Sequence, residues 1–429
     1  MHDSVHAPGV APAWAAEPAP NVERVDGHAG PDFIPYVSLL LFLLAMYGVA
    51  PETVPATAVL RPALTLGLGA LLFLLVERTV SGRAFRLAWP ESYALLGFFC
   101  AAGLSTFAAI WPGLAVQKTV ELAKLLVLYL LIVNVIRNRT RLRGLLWTLV
   151  VVGAMPAIGT IQNYLAGNVV DGRAAWIGKF ANPNIIAFEM TILVPLAVAL
   201  MVIARWRGRL LLAVLVLTYL VAIYFTFSRS GLIGLAVVVV LGTLRLRSNG
   251  LRLLVILAMV LALALALQFW ARDSSFDELE GDQTFNQRLV SVQAGLAMFQ
   301  ANPLLGVGIG CAHLAWQDYT PDSYNAEGEW LMIHNTFVQA LAETGIAGFS
   351  MLMLALVIPL FFMRSVARAR RASDVEISAY ASAIELSLVG LMISGLANGY
   401  MELAAPYLLI AIASSIKVVL ESERLVEGI

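Results

Sequence analysis

Three side chains could do chemistry together. Arg229 stands between two serines in Tyr224–Leu235, YFTFSRSGLIGL, between two long apolar runs. A charged side chain at bilayer centre costs about 2.5 to 3.5 kcal/mol on insertion scales, so this arginine must lie at a membrane surface or have a partner. Arg288 opens a second helical pattern, and His334 precedes MIHNTFVQALAE's helical portion, where Thr336 and Gln339 fit a capping box. The positive end of that helix disfavours imidazolium and keeps the ring able to accept a proton; it also favours an anion nearby. Equally open is a His334 that only hydrogen-bonds its own loop. Arginines beside a neutral histidine, without metal-ligand spacing, suit a phosphate-bearing lipid. Guanidinium grips phosphate oxygens bidentately and stabilises charge on a departing phosphate, while the histidine takes a proton from an attacking hydroxyl.

The elements that must position these residues are membrane helices. Of 429 residues 60% are hydrophobic and 13% charged, against about 25% charged in a soluble domain. Continuous apolar runs of about 18 to 22 residues predict an all-α polytopic membrane protein and exclude alternating strands. About twelve transmembrane helices are expected, at 33–50, 57–76, 92–111, 119–136, 144–163, 185–204, 209–226, 230–244, 251–271, 342–363, 377–398 and 403–420. Arginines gather in every second loop: Arg78 to Arg86, Arg137 to Arg143, Arg205 to Arg209, Arg245 to Arg252 and Arg364 to Arg371. The positive-inside rule makes those loops and both termini cytoplasmic. Lys118, Arg173, Lys179, Arg229, Arg272 and Arg288 then lie on the outer side, breaking the bias, and exceptions to a topology rule are candidates for function.

Residues 1–32, rich in Ala and Pro, read as a disordered cytoplasmic tail without signal-peptide character; 421–429 form a second tail. The membrane segments then divide into 33–271 and 336–420 around one large outer loop, 272–335. In that loop Leu289, Val292, Leu296 and Phe299 predict a helix along the membrane surface, with Arg288 at its start. NPLLGVGIG, Asn302 to Gly310, reads as a tight turn: a dinucleotide fingerprint needs a βαβ unit and a downstream acid. The acidic run Asp277 to Asp282 lacks calcium-loop spacing. Cys100 and Cys311 are not expected to pair, and no metal site or cofactor is expected. Asn182 and Asn184 line the site or cap the next helix, capping being the simpler role; Glu189, one turn into that helix, could reach the same outer cavity.

Four segments in this order, KFANPN (Lys179 to Asn184), FSRSGLIGL (Phe227 to Leu235), NPLLGVGIG and HNTFVQALAETGIAG (His334 to Gly348), resemble the O-antigen ligase and polymerase superfamily of bacterial inner-membrane glycosyltransferases. The resemblance runs from about Asn182 to Phe361. It implies a GT-C-like fold and a metal-independent, nucleotide-independent transfer on the periplasmic side. The donor is an undecaprenyl-diphosphate glycan; the acceptor is a lipid A core sugar or a growing glycan, and no nucleic acid takes part. Carried onto this chain, the family's arginines match Arg229 and Arg288, as diphosphate ligands, and its catalytic histidine matches His334; Ser228 and Ser230 either orient the Arg229 guanidinium or are simply tolerated at a helix end. A ligase ranks first, an O-antigen or exopolysaccharide polymerase second and a protein O-oligosaccharyltransferase third. The rival class, a lipid-linked glycan transporter, predicts internal repeats and ionisable groups near the midplane; no convincing repeat is present.

Overall fold

A computed structural model describes residues 33–246, 248–268, 283–321, 324 and 331–427. The tail 1–32, Arg272 and the acidic run Asp277–Asp282 lie outside the described residues. Among the described residues every regular element is helical, apart from an isolated bridge between Val170 and Arg173.

The chain begins with α1 (Phe33–Tyr47), short α2 (Ala50–Thr53), α3 (Pro62–Ser81), α4 (Glu91–Ser105) and α5 (Pro112–Val135). Next come α6 (Arg139–Val152) and α7 (Ala154–Leu165), nearly continuous through Gly153, then α8 (Pro183–Ile203), α9 (Trp206–Phe225), α10 (Arg229–Leu244) and α11 (Asn249–Gln268). The long segment between α11 and α14 holds α12 (Gln283–Ala301) and short α13 (Ala312–Ala315); α14 (Thr336–Ala369), α15 (Val375–Gly395) and α16 (Ala404–Glu427) complete the chain. All twelve expected positions carry helix. Among the described residues seven helical stretches are long and apolar enough to cross a membrane, and α1, α10 and Asn249–Leu261 of α11 are shorter apolar stretches.

The packing is that of a bundle in lipid. The interior is formed by α8, α15 and α16, whereas α3 turns Leu64, Leu68, Leu72 and Val76 outward. Apolar side chains on an outer surface are at home among acyl chains. The basic end of the bundle is tied by interhelical ion pairs: Arg139 with Asp374 and Glu423 at 2.6 and 2.5 Å, Arg143 with Glu376 at 2.7 Å, and Arg245 with Glu385 at 2.8 Å. Its arginines thus fasten the C-terminal helices to earlier ones. The opposite end gathers the starts of α5, α8, α10, α14 and α16 and the ends of α4, α7, α9 and α15. Arg229 and His334 lie there.

Candidate functional site

The Arg229 turn is built by its neighbours. Phe227 adopts a left-handed φ of 44°, uncommon for a bulky side chain and characteristic of a held turn. Ser228 is the N-cap of α10, its Oγ accepting from the Gly231 N–H at 3.3 Å, and Arg229 is the first helical residue. The Ser228 hydroxyl donates to Asn184 Oδ1 at 2.8 Å and lies 3.2 Å from Ser230 Oγ, which accepts from Asn398 Nδ2 at 2.6 Å. The serines orient the turn itself. The glycines of the same motif let helices approach: a Cβ at Gly231 would meet Ala187 of α8, and one at Gly234 would meet Ser394 and the Gly390 carbonyl of α15. Such small-residue contacts are how membrane helices pack closely.

Arg173 joins this network. Its Nη2 donates to Asn184 Oδ1 at 2.6 Å and its Nε to the Thr226 carbonyl at 2.9 Å, so the loop between α7 and α8 is fastened to the Arg229 turn. The two asparagines therefore divide the work. Asn182 caps α8 through the Asn184 N–H at 2.8 Å. Asn184, expected to cap, instead accepts from Arg173 and Ser228 through its side chain and from the Tyr400 hydroxyl through its carbonyl at 3.3 Å. Burial raises the Tyr400 hydroxyl's pKa, while the charges of Arg288 and Arg173 reach it and pull the other way.

His334 sits two residues before α14, and the cap differs from the expected box. Asn335 is the N-cap, its Oδ1 accepting from the Phe337 and Val338 N–H groups at 3.0 and 3.1 Å. Thr336 is freed for a tertiary role: its hydroxyl donates to the Asn398 carbonyl at 2.7 Å and accepts from the Tyr400 N–H at 2.9 Å. An asparagine outcompeted its neighbour because its carbonyl reaches both orphan N–H groups of the first turn. α12 supplies Arg288. Its buried face is Ser291, Ala294, Gly295 and Met298; Leu289 and Leu296 of the predicted apolar stripe point outward, the side a membrane surface would contact. A Cβ at Gly295 would lie 2.7 Å from Val338 and 2.9 Å from Ile333, so α12 rests on the His334 segment. Residues 288, 291, 295 and 298 share one helical face. Arg288 is therefore turned toward His334. Burial first, and the Arg288 charge second, bring the imidazole from 6.5 down to about 4. At that value the ring is neutral near pH 7, held so by burial and a neighbouring cation.

The glycine motif is the bracket for this helix. Gly345 has φ 63° and ψ −166°, a break within α14, in a region of backbone space that is essentially glycine's alone. The chain 303–307 inserts there: the Ile346 N–H donates to the Pro303 carbonyl at 2.9 Å and the Val307 N–H to the Ala342 carbonyl at 2.8 Å. A Cβ at Gly345 would overlap the Leu304 carbonyl. Gly306, Gly308 and Gly310 all take positive φ, and the Gly310 N–H donates to Glu343 Oε2 at 2.9 Å. The expected tight turn is present, and its purpose is to satisfy backbone groups that the helix break exposes.

Glu189 has its own partners, and its charge reaches Tyr400 as do those of Arg288 and Arg173. It is buried on α8, accepts from the Tyr47 hydroxyl at 3.0 Å and faces Lys179, whose ammonium lies 4.8 Å from the Tyr47 ring and 4.7 Å from that of Phe180. Burial lowers the Lys179 ammonium to about 8, with the Glu189 charge opposing. Lys118, read as half of an intrahelical pair with Glu121, also binds Glu402 at 2.6 Å. Both cysteines are free, and no cluster that could hold a metal occurs among the described residues. Arg173, Asn398 and Tyr400 are the residues that motif reading missed. Arg173 was detectable as a cation breaking the charge bias; Asn398 and Tyr400 carried no such signal.

Residues 213–353 match the family described as O-Antigen ligase. That stretch contains Arg229, Arg288 and His334, whereas Arg173, Asn184, Asn398 and Tyr400 flank it. The chain is also similar to the exopolysaccharide production protein ExoQ of Rhizobium meliloti (strain 1021), 24% identical over 317 residues, which are 69% of this chain and 69% of that protein. Together with seven helical stretches of membrane-crossing length among the described residues, the two likenesses support a membrane protein with an O-antigen ligase- or polymerase-like function.

Proposed function

We propose that the protein is a metal-independent glycosyltransferase of the bacterial inner membrane. It moves a glycan from undecaprenyl diphosphate to an acceptor hydroxyl at the periplasmic face, with the basic end and both termini in the cytoplasm. The observation that carries this reading is the juxtaposition at one bundle end of a neutral, part-buried His334 and the Arg288 charge, beside the braced Arg229 turn. Arg229 and Arg288 hold the diphosphate. The acceptor oxygen bonds to the anomeric carbon, and the bond from that carbon to the diphosphate oxygen breaks, its electron pair leaving with the diphosphate. His334 takes the acceptor's proton. A base at about 4 is weak, yet the bound diphosphate offsets the Arg288 charge, and an anion beside an imidazole favours its protonated form. Donor binding therefore strengthens the base when it is needed.

The similarity to a protein of exopolysaccharide production favours a growing glycan as acceptor over a lipid A core sugar. The same residues serve both reactions. A deletion strain separates them. Loss of long-chain exopolysaccharide with single repeat units left on the lipid carrier supports the polymerase. Full-length polymer left on its carrier beside an uncapped lipid A core supports the ligase. Unchanged glycans with altered export of the lipid-linked donor overturn both in favour of a transporter.

A further inference from the structure

At the end of the bundle opposite His334, a cavity of about 300 Å³ opens between the last turns of α14 and α16. Phe362 and Val366 of α14 and Leu420 of α16 form its apolar wall, with Arg370, Lys417 and Arg424 as its cations and Glu421 as its single acid. This volume is at the small end of the roughly 300 to 1,000 Å³ of ligand sites. We propose that it is a binding site for the headgroup of an anionic glycerophospholipid, held by its phosphodiester.

Depth is the first argument. Beyond the Gly345 break α14 runs about 36 Å at 1.5 Å per residue, slightly more than the ~30 Å hydrocarbon core. Its last turn therefore emerges at headgroup level. Lys417 marks the same level: its ammonium donates to the Trp89 carbonyl and lies 5.3 Å from the Phe362 ring. Trp89 and Tyr93, with ring centroids 5.1 Å apart, are both exposed there, as an interfacial aromatic belt requires. Charge is the second argument. In the lining three cations face the single carboxylate of Glu421; outside it, Glu91 lies 3.6 Å from Lys417, and the Arg370 charge reaches Asp374, which Arg139 already binds at 2.6 Å. The excess is positive, and Arg370 and Arg424 offer forks that fit phosphate oxygens. The apolar wall decides the source. A free inorganic phosphate gains nothing from Phe362, Val366 and Leu420, whereas a glycerol backbone and its first methylenes lie against them, with acyl chains continuing along exposed Phe361. Basic pockets between helices at this level suit anionic lipid headgroups. The site is remote from the arginines of the outer end, and its existence does not rest on glycan transfer.

The test uses the full chain purified in a neutral detergent, with lipid binding followed by native mass spectrometry and by thermal melting. Phosphatidylglycerol should bind and raise the melting temperature, phosphatidylcholine and sodium phosphate should not, and each cation removed should weaken binding about fivefold. The double variant R370Q/R424Q should therefore bind phosphatidylglycerol about 25-fold more weakly. R368Q, an exposed arginine outside the cavity in the same last turn, should bind normally. Equal binding of phosphatidylcholine, equal stabilisation by sodium phosphate, or an equal loss in R368Q overturns the proposal. The three-ligand comparison on the unmodified chain stands even where the double variant does not fold.

Discussion

Replacing Arg288 by glutamine should move the acid limb of the pH–rate profile upward. A positive charge beside an imidazole penalises its protonated form, so removing that charge must raise the pKa of His334. The size follows from the order of the causes. The ring falls from 6.5 to about 4 chiefly through burial, with Arg288 second, so the arginine accounts for less than half of the fall. R288Q should raise the limb by at most about one pH unit, about 1.4 kcal/mol of interaction. Two unit charges exchange that much at ~12 Å with an effective dielectric of ~20, so no direct contact is needed. The assay is kcat/KM of membrane-reconstituted enzyme on a lipid-diphosphate glycan, from roughly pH 3.5 to 8, because that parameter reports the free enzyme. The unmodified protein should lose rate only near pH 4, and R288Q should lose it at higher pH. Its plateau also falls, since the diphosphate loses a ligand, but the limb's position is independent of the plateau's height. An unmodified limb near 6.5, or an R288Q limb that stays or moves down, refutes the assignment of His334 as a base beside Arg288.

His334→Ala should lower turnover by roughly 10² to 10⁴-fold while donor affinity, measured by equilibrium binding, changes little; a parallel loss of affinity would make the ring a loop support. Arg229→Lys keeps the charge but not the planar fork, and steady-state assay of the reconstituted variant should show most activity gone; near-normal transfer would reduce Arg229 to a packing residue. In a Cys100→Ala background, a cysteine beside Arg173 should react with an impermeant thiol reagent from the periplasm and one beside Arg368 should not; the reverse pattern puts Arg229 and His334 in the wrong compartment. Gly345→Ala should cost at least about 1 to 3 kcal/mol in thermal or chemical unfolding, because alanine at that φ and ψ is strained and its Cβ meets the Leu304 carbonyl.

The helices were legible because lipid imposes a composition that needs no partner to be read: a run of apolar residues announces itself. The start of α14 was legible from the capping box at Thr336 and Gln339, whereas hydropathy alone begins the run at 342, because Gln339 and Glu343 in its first two turns are polar and are buried by contacts with other segments. Arg229, Arg288 and His334 were visible because charge and imidazole stand out against an apolar background. Their supports were hidden for the opposite reason. Asn398 and Tyr400 look like ordinary helix-end residues, and only the tertiary fold shows that they meet Ser230 and Thr336. Asn184 looked like a cap because Asn-Pro-Asn opens a helix, but one asparagine suffices for that and the second was left to bind Arg173.

The division of labour along the chain follows from these contacts. The three residues that would touch the donor lie within the matched stretch 213–353, yet that stretch cannot set their geometry alone. The Arg229 turn is held from α8 by Asn184 and from beyond α15 by Asn398, and the start of the His334 helix is pinned by Asn398 and Tyr400. Asn398 therefore bridges the two halves of the site: its amide binds Ser230 beside Arg229, and its carbonyl binds Thr336 beside His334. A clamp and a base must keep a fixed separation if the acceptor oxygen is to reach the anomeric carbon while its proton points at the imidazole, because reacting atoms need approach within about 3 to 3.5 Å. That separation spans elements more than 100 positions apart in sequence. The segment between α15 and α16 is what joins them, so the candidate site extends beyond the helices that carry its motifs.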